Sequence, residues 1–256
     1  MRGFENWLLR TTLYLILFAN AASYTSLLFR RQQMQLYDAG FDEDASLSSK
    51  DRGSIFDSIV RERNACKSFQ RFDRKGRDAL VASFPDPAVV EQSLQCLEIA
   101  RFAPSAFNTQ PYKVVLVTTP EQKAALSKGC LGPNVRRVLD ADCTAVFLAD
   151  RQYPLPSLAN AETWASKQAT LVAMTYMLGC TARGLATIPM EGINAGKIRR
   201  GLSIPSRYAI PLIVSTGKAL VNDSSAQKLA ERRYPMEDVI FCENFGEHSV
   251  RVVPEH

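Results

Sequence analysis

Histidine is nearly absent from this chain of 256 residues, since the two that occur, His248 and His256, both lie close to the C-terminus. Zinc sites, Ser-His-Asp arrangements and Cys-His pairs all need a histidine as a ligand or a base. Neither GxGxxG nor GxxxxGKS/T occurs among the glycines. The sequence therefore excludes most zinc sites and most histidine-based catalysis, and it specifies no nucleotide-binding loop.

Closely spaced cysteines and dense basic runs are missing too. The six cysteines, at positions 66, 96, 130, 143, 180 and 242, form no CxxC pair, which favours buried free thiols in a reducing compartment. The 31 lysines and arginines give a net charge of +5 but are spread along the chain, so nucleic acid is not predicted as a partner. With 46% apolar and 22% charged residues, the composition is that of an ordinary globular protein.

One stretch near the N-terminus carries no charge at all. Residues Thr11 to Phe29 form an uncharged run with arginines on both sides, and in helical form the run is long enough to cross a bilayer core. We interpret residues 1–31 as a hydrophobic membrane or targeting segment. A retained anchor accounts for the length and the flanking arginines, whereas a cleaved signal peptide, a mitochondrial targeting segment and an ordinary buried helix stay as alternatives. We expect a membrane-anchored protein, with the mitochondrial inner membrane favoured and the endoplasmic reticulum or secretory membrane as the alternative.

The remainder of the chain divides into a polar segment and one domain. Residues 32–53 are polar and acidic without sustained periodicity, so a linker is predicted there. Residues 54–256 then alternate between helix and strand patterns. The stretches YKVVLVTT, TAVFLAD and IPLIVSTGKA are typical of buried strands.

Two helices have clear signals at their ends or along their length. Asp86 and Pro87 are the expected N-cap and first residue of a helix that ends before Pro104. The longest helix is predicted over residues 160–183, and its apolar residues lie nearly all round, so it should be central and buried. Strands alternating with helices predict a three-layer α/β architecture.

Five separated stretches occur in an order that one family shares. They are RNACKSF (63–69), APSAFNTQPY (103–112), NVRRVLDAD (134–142), TWASKQATL with GLATIPMEGIN (163–194) and ERRYPMEDV (231–239). In order and spacing they resemble the FMN-dependent nitroreductases, above all where WASKQ is followed by IPMEG. The resemblance implies an α+β fold in three layers, a central mixed sheet flanked by helices, built as an intertwined dimer.

The resemblance also implies FMN sites at the dimer interface, completed by a second copy or by a related partner chain. The loop PSxxNxQP would touch flavin bound mainly by the other subunit, through Pro104, Ser105 and Asn108. From the residues alone, a turn capped by serine and asparagine side chains explains these three equally well.

Each part of FMN makes a chemical demand that the family pattern assigns to particular residues. The phosphate is a dianion that arginine and lysine bind well, and the pattern assigns to it Arg63, Lys67, Arg232 and Arg233. Each of these four could instead be a solvated surface charge.

The flavin ring makes the second demand. Its pyrimidine edge favours an amide and a cation, for which the family pattern gives Asn134 and Arg137. The PMEG segment, Pro189 to Gly192, would turn the backbone amides of Glu191 and Gly192 toward flavin N5 and O4. No catalytic side chain and no metal is implied, because the flavin carries the chemistry.

The chain departs from the family pattern at three places. Ala65 stands where a serine is usual, and Glu231 stands where a phosphate-side lysine is usual. Each loss removes a contact of about 1–3 kcal/mol. The long helical insertion that covers the flavin in bacterial enzymes is reduced to residues 151–162, so the substrate cover is predicted to be missing or supplied by another protein.

Two functions follow from this resemblance. The first is a membrane-anchored FMN oxidoreductase that transfers hydride from NAD(P)H to an acceptor such as a quinone or a nitroaromatic compound. The alternative is a nitroreductase-like accessory or structural subunit of a large mitochondrial membrane complex, with weak or no turnover.

Overall fold

The computed structural model describes residues 47–71, 81–152, 160–220, 233–241 and 245–246. The chain divides into two compact units, Met1–Gly53 and Ser54–His256, and the fold below is that of the second, apart from the first residues of helix α1. The predicted segment over residues 1–31 lies outside the described residues. Among those described, no helix combines the length and the apolar character needed to cross a membrane.

The elements follow one another in this order: α1 (Ser49–Glu62), α2 (Pro87–Ala100), β1 (Tyr112–Val117), α3 (Pro120–Ser127), α4 (Asn134–Asp140), β2 (Cys143–Asp150), α5 (Ala161–Thr181), β3 (Ala186–Met190), α6 (Ala195–Gly201), β4 (Tyr208–Gly217) and α7 (Met236–Val239). Their start signals are local. Asp86 caps α2 by accepting a hydrogen bond from the Ala88 amide, with Pro87 as the first helical residue, as the sequence predicts.

Helix α1 begins inside the segment that the sequence predicts to be a linker. Ser48 accepts a hydrogen bond from the Asp51 amide at 3.1 Å, and its hydroxyl donates to the Asp51 carboxylate. This reciprocal cap starts a helix at Ser49, so residues 49–53 of the predicted linker are helical. Residues 32–46 of the predicted linker lie outside the described part.

The four strands form one sheet in the order β1-β2-β4-β3, and every neighbouring pair is antiparallel. The α+β class is confirmed, whereas the α/β interpretation of the helix-strand alternation is wrong, because an α/β sheet needs parallel strands. Within the described residues the parallel component of the predicted mixed sheet is limited to one bridge, between Ala65 and Thr187 at the outer edge of β3.

Helices cover both faces of the sheet, so the predicted three layers are confirmed. Consecutive residues of β2 point to opposite faces: Val146 belongs to one hydrophobic cluster and Phe147 to the other. The first cluster includes Leu126, Val138 and Ile198 from α3, α4 and α6. The second includes Val89 and Cys96 from α2, and Val172 and Tyr176 from α5.

Helix α5 is buried on one side only. Its buried residues recur at helical spacing and face the sheet and α2: Ala165, Ala169, Val172, Ala173, Tyr176, Met177 and Cys180. On the opposite side Leu171 is 44% exposed and Met174 is 39% exposed. The prediction of a helix buried all round therefore does not hold within a single chain.

The described cysteines form no disulfide with one another, as predicted. All five of them are buried: Cys66, Cys96, Cys130, Cys143 and Cys180. Burial raises the pKa of the Cys130 and Cys143 thiols to about 11, so both are inert at neutral pH. Cys242 lies outside the described residues.

Candidate functional site

Three of the predicted cofactor residues meet at the C-terminal end of β3. The Asn134 side chain donates from Nδ2 to the Gly192 carbonyl at 3.1 Å, and its Oδ1 accepts from Arg137 Nη1 at 2.7 Å. Asn134 is only 8% exposed. We call Asn134, Arg137 and Gly192 the Asn134 edge.

Backbone pairing explains why residues so far apart in sequence meet there. The Leu131 amide donates to the Gly192 carbonyl at 3.0 Å, and Cys130 bridges to Ile193. Backbone hydrogen bonds thereby join the segment before α4 to the segment after β3. A side chain at position 192 would place its Cβ 3.0 Å from Asn134 Nδ2, so the Asn134 amide would have to move aside to accommodate it.

The Asn134 edge keeps hydrogen-bonding capacity for a ligand. Arg137 Nε is buried and has no hydrogen-bond partner within the described part of the chain. A buried N–H left unpaired is costly, and it marks a place where an acceptor would be stabilised. The Asn134 amide has one further N–H and one further lone pair beyond the two contacts described. These donors and acceptors fit the pyrimidine edge of a flavin.

The first sequence motif runs along the outer edge of β3. The Cys66 amide donates to the Thr187 carbonyl at 2.9 Å, and Ala65 forms a parallel bridge with Thr187. This register places Lys67 beside Pro189, two residues further along the strand, and Arg63 level with the start of β3. Pro189 lacks an amide hydrogen, and an edge strand tolerates this loss. Glu191 and Gly192 follow the strand and are exposed.

Two predicted phosphate ligands influence one another. Partial burial, and after it the positive charge of Arg233, lowers the pKa of the Arg63 guanidinium below its ordinary value. Two arginines brought together in this way favour an anion between them. Lys67 is exposed on the same segment, whereas Arg232 lies outside the described residues.

The other predicted contacts lie in the loop of residues 103–111, here called the 103–111 loop. Ser105 Oγ accepts from the Gln110 amide at 3.0 Å, and Asn108 Oδ1 accepts from Gln110 Nε2 at 3.1 Å. Pro104 and Asn108 are exposed. The two side-chain amides that the sequence contains there thus bind each other and shape the loop.

The backbone of this loop is strained. Phe107, Asn108 and Gln110 have φ values of 53°, 54° and 48°, a left-handed conformation that costs a non-glycine residue about 1–2 kcal/mol. Strain of this kind persists when surrounding contacts fix it. The Phe107 ring is 87% exposed.

Sequence reasoning missed the residue that fixes this loop to the body of the fold. Gln168 Oε1, on α5, accepts from the Ala106 amide at 3.0 Å. Gln168 is the last residue of the WASKQ motif, so the signal was present in the motif without a role attached to it.

The 103–111 loop and the Asn134 edge lie at the same end of the sheet but at opposite edges. The loop leads into β1 at Tyr112, which pairs with Ala149 at the end of β2, while β3 ends at Met190 beside β4. Because β2 and β4 separate the two edge strands, the lateral distance is about 14 Å at the usual strand spacing. One chain therefore does not bring all the predicted contacts together.

A sequence model of the Nitroreductase family matches residues 85–137 and 131–218, which together span more than half of the chain. The matched region contains the 103–111 loop, α4, the WASKQ helix and β3. It leaves out the segment with Arg63 and Lys67 and the segment with Arg233.

Two relatives show how far the sequence similarity extends. The chain is 27% identical over 184 residues to an NADH dehydrogenase of Thermus thermophilus, covering 60% of this chain and 86% of that protein. It is 25% identical over 191 residues to an oxygen-insensitive NAD(P)H nitroreductase of Salmonella typhimurium, covering 59% of this chain and 88% of that protein.

Solved structures share the fold. A nitroreductase family protein of Streptococcus pneumoniae superposes with a TM-score of 0.57 at 24% identity, covering 72% of this chain and 98% of that one. A protein of Exiguobacterium sibiricum, described as a nitroreductase in complex with FMN, gives a TM-score of 0.60 at 19% identity, covering 73% and 97%.

Proposed function

Because the chain belongs to the nitroreductase family, we propose that it is an FMN-dependent oxidoreductase that transfers hydride from NAD(P)H to an acceptor such as a quinone or a nitroaromatic compound. Relatives named NADH dehydrogenase and NAD(P)H nitroreductase support the oxidoreductase role and the donor. When bound, FMN would supply the hydride chemistry at its N5 atom.

The Asn134 edge is the observation that carries the proposal. Arg137 offers a buried N–H without a partner in the described residues, and the positive charge of its guanidinium would stabilise negative charge on the pyrimidine edge. Asn134 holds Arg137 in place through the 2.7 Å hydrogen bond. The exposed backbone of Glu191 and Gly192 would face the N5 side of the ring.

The phosphate of FMN would bind at the outer edge of β3, beside the segment that contains Arg63 and Lys67. Arg63 and Arg233 lie close enough for their charges to interact, and an inserted phosphate would turn this repulsion into two attractive pairs. Lys67 and Arg232 complete the proposed set. Ala65 offers no hydroxyl, so we expect weaker phosphate binding than a serine would give.

A second chain is part of the proposal. Because the 103–111 loop lies across the sheet from the Asn134 edge, Pro104, Ser105 and Asn108 would reach flavin bound by a partner. The exposed apolar residues on the outer side of α5, Leu171 and Met174, are suited to burial between chains. We propose a homodimer, with a related partner chain as the alternative.

The first experiment is to purify the full-length protein from its natural membrane or complex and to measure FMN per chain by absorbance, and by fluorescence after denaturation. We expect FMN in proportion to chains, and NAD(P)H oxidation with an artificial acceptor. A folded preparation without flavin or turnover would contradict the oxidoreductase and favour the structural subunit of a membrane complex.

Membrane anchoring through residues 1–31 stays a separate proposal, supported by the uncharged run from Thr11 to Phe29. We favour the mitochondrial inner membrane, with the endoplasmic reticulum or a secretory membrane as the alternative. Carbonate extraction tests the anchor: the full-length protein should stay in the pellet, and its release into the supernatant would rule out a membrane span.

A further inference from the structure

Two of the buried cysteines meet where helices α2 and α5 pack together. Cys96 lies on α2 and Cys180 lies in the last turn of α5, and both belong to the hydrophobic cluster between these helices and the sheet. Their thiols form a hydrogen bond with one another. Neither cysteine is among the groups proposed for FMN, so the pair calls for a separate explanation.

A glycine allows the two helices to approach each other at this point. Gly179 precedes Cys180 on α5, and a Cβ built on Gly179 would lie 3.5 Å from Cys96 Cβ and 3.6 Å from Cys96 Sγ. The two Cβ atoms of a disulfide are usually about 3.5–4.5 Å apart. Helix α5 therefore comes within the range that a disulfide spans, and the hydrogen bond requires the Cys180 thiol to face Cys96.

An arginine side chain lies over the Cys96 sulfur. Arg183 Nη1 donates to the Gly179 carbonyl at 3.1 Å and lies 3.8 Å from the same Cβ position on Gly179. Its guanidinium also interacts with the Cys96 thiol, through its charge and through a hydrogen bond. Arg183 is exposed, so displacement of one long surface side chain would admit a small oxidant to the buried sulfur.

The two thiols differ in how readily they lose a proton. The hydrogen bond from the Cys180 thiol lowers the pKa of Cys96 more than burial raises it, and the positive charge of Arg183 lowers this pKa further. The same hydrogen bond, together with burial, raises the pKa of Cys180. Because the thiolate is the nucleophilic form of cysteine, Cys96 would react first while Cys180 keeps its proton.

We propose that Cys96 and Cys180 are an oxidisable dithiol, which hydrogen peroxide converts into a disulfide between α2 and α5. The Cys96 thiolate attacks one peroxide oxygen, the O–O bond breaks, and the leaving hydroxide takes a proton from solvent to become water. The Cys180 sulfur then attacks the sulfur of the Cys96 sulfenic acid, the S–O bond breaks, and hydroxide leaves with the Cys180 proton as water. Two thiols are thereby oxidised, and one peroxide is reduced to two waters.

Helices α2 and α5 both support the 103–111 loop. Helix α2 ends shortly before the loop, and α5 carries Gln168, which accepts a hydrogen bond from the Ala106 amide. A disulfide between Cys96 and Cys180 would join these two supports and restrict the unfolded chain. We expect the Tm of the oxidised protein to be roughly 5–10 °C higher than that of the reduced protein.

The test treats the full-length protein with hydrogen peroxide, alkylates the remaining thiols and maps the cysteines by peptide mass spectrometry. We expect a cross-linked peptide that joins Cys96 to Cys180 and that dithiothreitol separates. Cys130 should stay reduced, because burial raises the pKa of its thiol to about 11. Cys180→Ala should stop at a Cys96 sulfenic acid, which dimedone traps, whereas Cys96→Ala should leave Cys180 reduced and abolish the difference in Tm.

Arg183→Met keeps a long side chain over the sulfur but removes its charge, so cross-linking should slow by up to about fivefold, as a partly exposed charge allows. Arg101→Met is the matched control, since Arg101 lies at the end of α2 and pairs with Glu98; it should leave the rate unchanged. Reduced Cys96 and Cys180, while glutathione in the same solution is oxidised, would overturn the proposal. A cross-link from Cys96 to any other cysteine would also overturn it, and an unchanged rate in Arg183→Met would overturn the role of the arginine. FMN content, measured in parallel, tests the proposed oxidoreductase function separately.

Discussion

The Asn134 edge and the 103–111 loop lie at the same end of the sheet, and they differ in how their atoms are held. Asn134 is buried, and its amide is bonded on both sides to Gly192 and Arg137. In the loop, by contrast, Phe107 and Asn108 are exposed and have a left-handed backbone. The edge is preorganised within one chain, whereas the loop is fixed at its base and presents its tip outward.

This difference indicates a division of labour between the two regions. A preorganised group loses little entropy when it binds a ligand, so the Asn134 edge is suited to the main contacts with the flavin ring. The backbone of the loop is strained, and two hydrogen bonds maintain its conformation. The Ala106 amide donates to Gln168, and the Gln110 amide donates to Ser105. We expect such a loop to complete a site that another chain provides.

The largest expected effect comes from removing the edge. Asn134→Ala with Arg137→Ala deletes the amide and the cation, each worth about 1.5–3 kcal/mol toward a charged or buried partner, so FMN should bind about 100-fold or more weakly. FMN content after purification and a fluorescence titration measure the effect. Arg136→Ala, on the same helix but paired with Asp140, should retain FMN.

Because Asn134 is buried, the double variant needs a check that it folds, by circular dichroism and thermal unfolding. Arg137→Lys provides a second test with the asparagine intact: it keeps the charge but loses the planar fork, and it should bind FMN at an intermediate level. Unchanged FMN content in a folded double variant would remove the Asn134 edge from the site.

A mixed dimer tests whether the loop acts on the other chain. One chain would carry Asn134→Ala with Arg137→Ala, and the second would carry Ser105→Ala with Asn108→Ala, each with its own affinity tag. If sites combine the edge of one chain with the loop of the other, the mixed dimer has one intact site and should hold half the normal FMN. Neither parent homodimer should hold any.

The same mixture has a distinct outcome if each chain builds its own site. Every site would then contain one defective region, and the mixed dimer would be as empty as its parents. Full FMN content in the homodimer with the altered loop would show that the loop does not bind flavin in either chain.

Gly192→Ala should have a smaller effect, confined to the edge. The added Cβ would lie 3.0 Å from Asn134 Nδ2, so the amide must shift and lose its alignment with Arg137. We expect FMN binding to weaken about tenfold, equivalent to one hydrogen bond, as measured by fluorescence titration. Gly53→Ala is the control, because a Cβ there meets no atom within 4 Å. Equal affinities in the two variants would contradict the packing argument.

Much of the fold was predictable because its signals are local. Asp86 before Pro87 gives α2 its start, and continuous apolar runs give β1, β2 and β4. Strand β3 was not predicted, since its five residues include Pro189, and pairing with β4 makes it a strand. Helix α4 was missed for a related reason: its N-cap is Pro133, which offers no side-chain cap.

The sequence indicates which residues are candidates for the site, but it does not give their arrangement. Family motifs give Asn134, Arg137 and Gly192, and the structure brings them together. No sequence pattern shows that the Asn134 amide is engaged within its own chain, or that Gln168 fixes the 103–111 loop, because both contacts join segments more than fifty residues apart. Such contacts form only when the assembled sheet brings these distant segments together.

The smallest expected effect separates strain from function in the loop. Phe107→Gly removes an exposed ring and relieves a left-handed residue, and the gain of about 1 kcal/mol is offset by the greater backbone entropy of glycine in the unfolded chain. The free energy of unfolding in urea should therefore change by less than about 1 kcal/mol. Ser203→Gly, at another left-handed position with φ 54°, is the matched control and should behave alike in urea. If the exposed ring touches a second chain or its flavin, Phe107→Gly alone should lower FMN content, and identical FMN content in both variants would leave Phe107 with a structural role only.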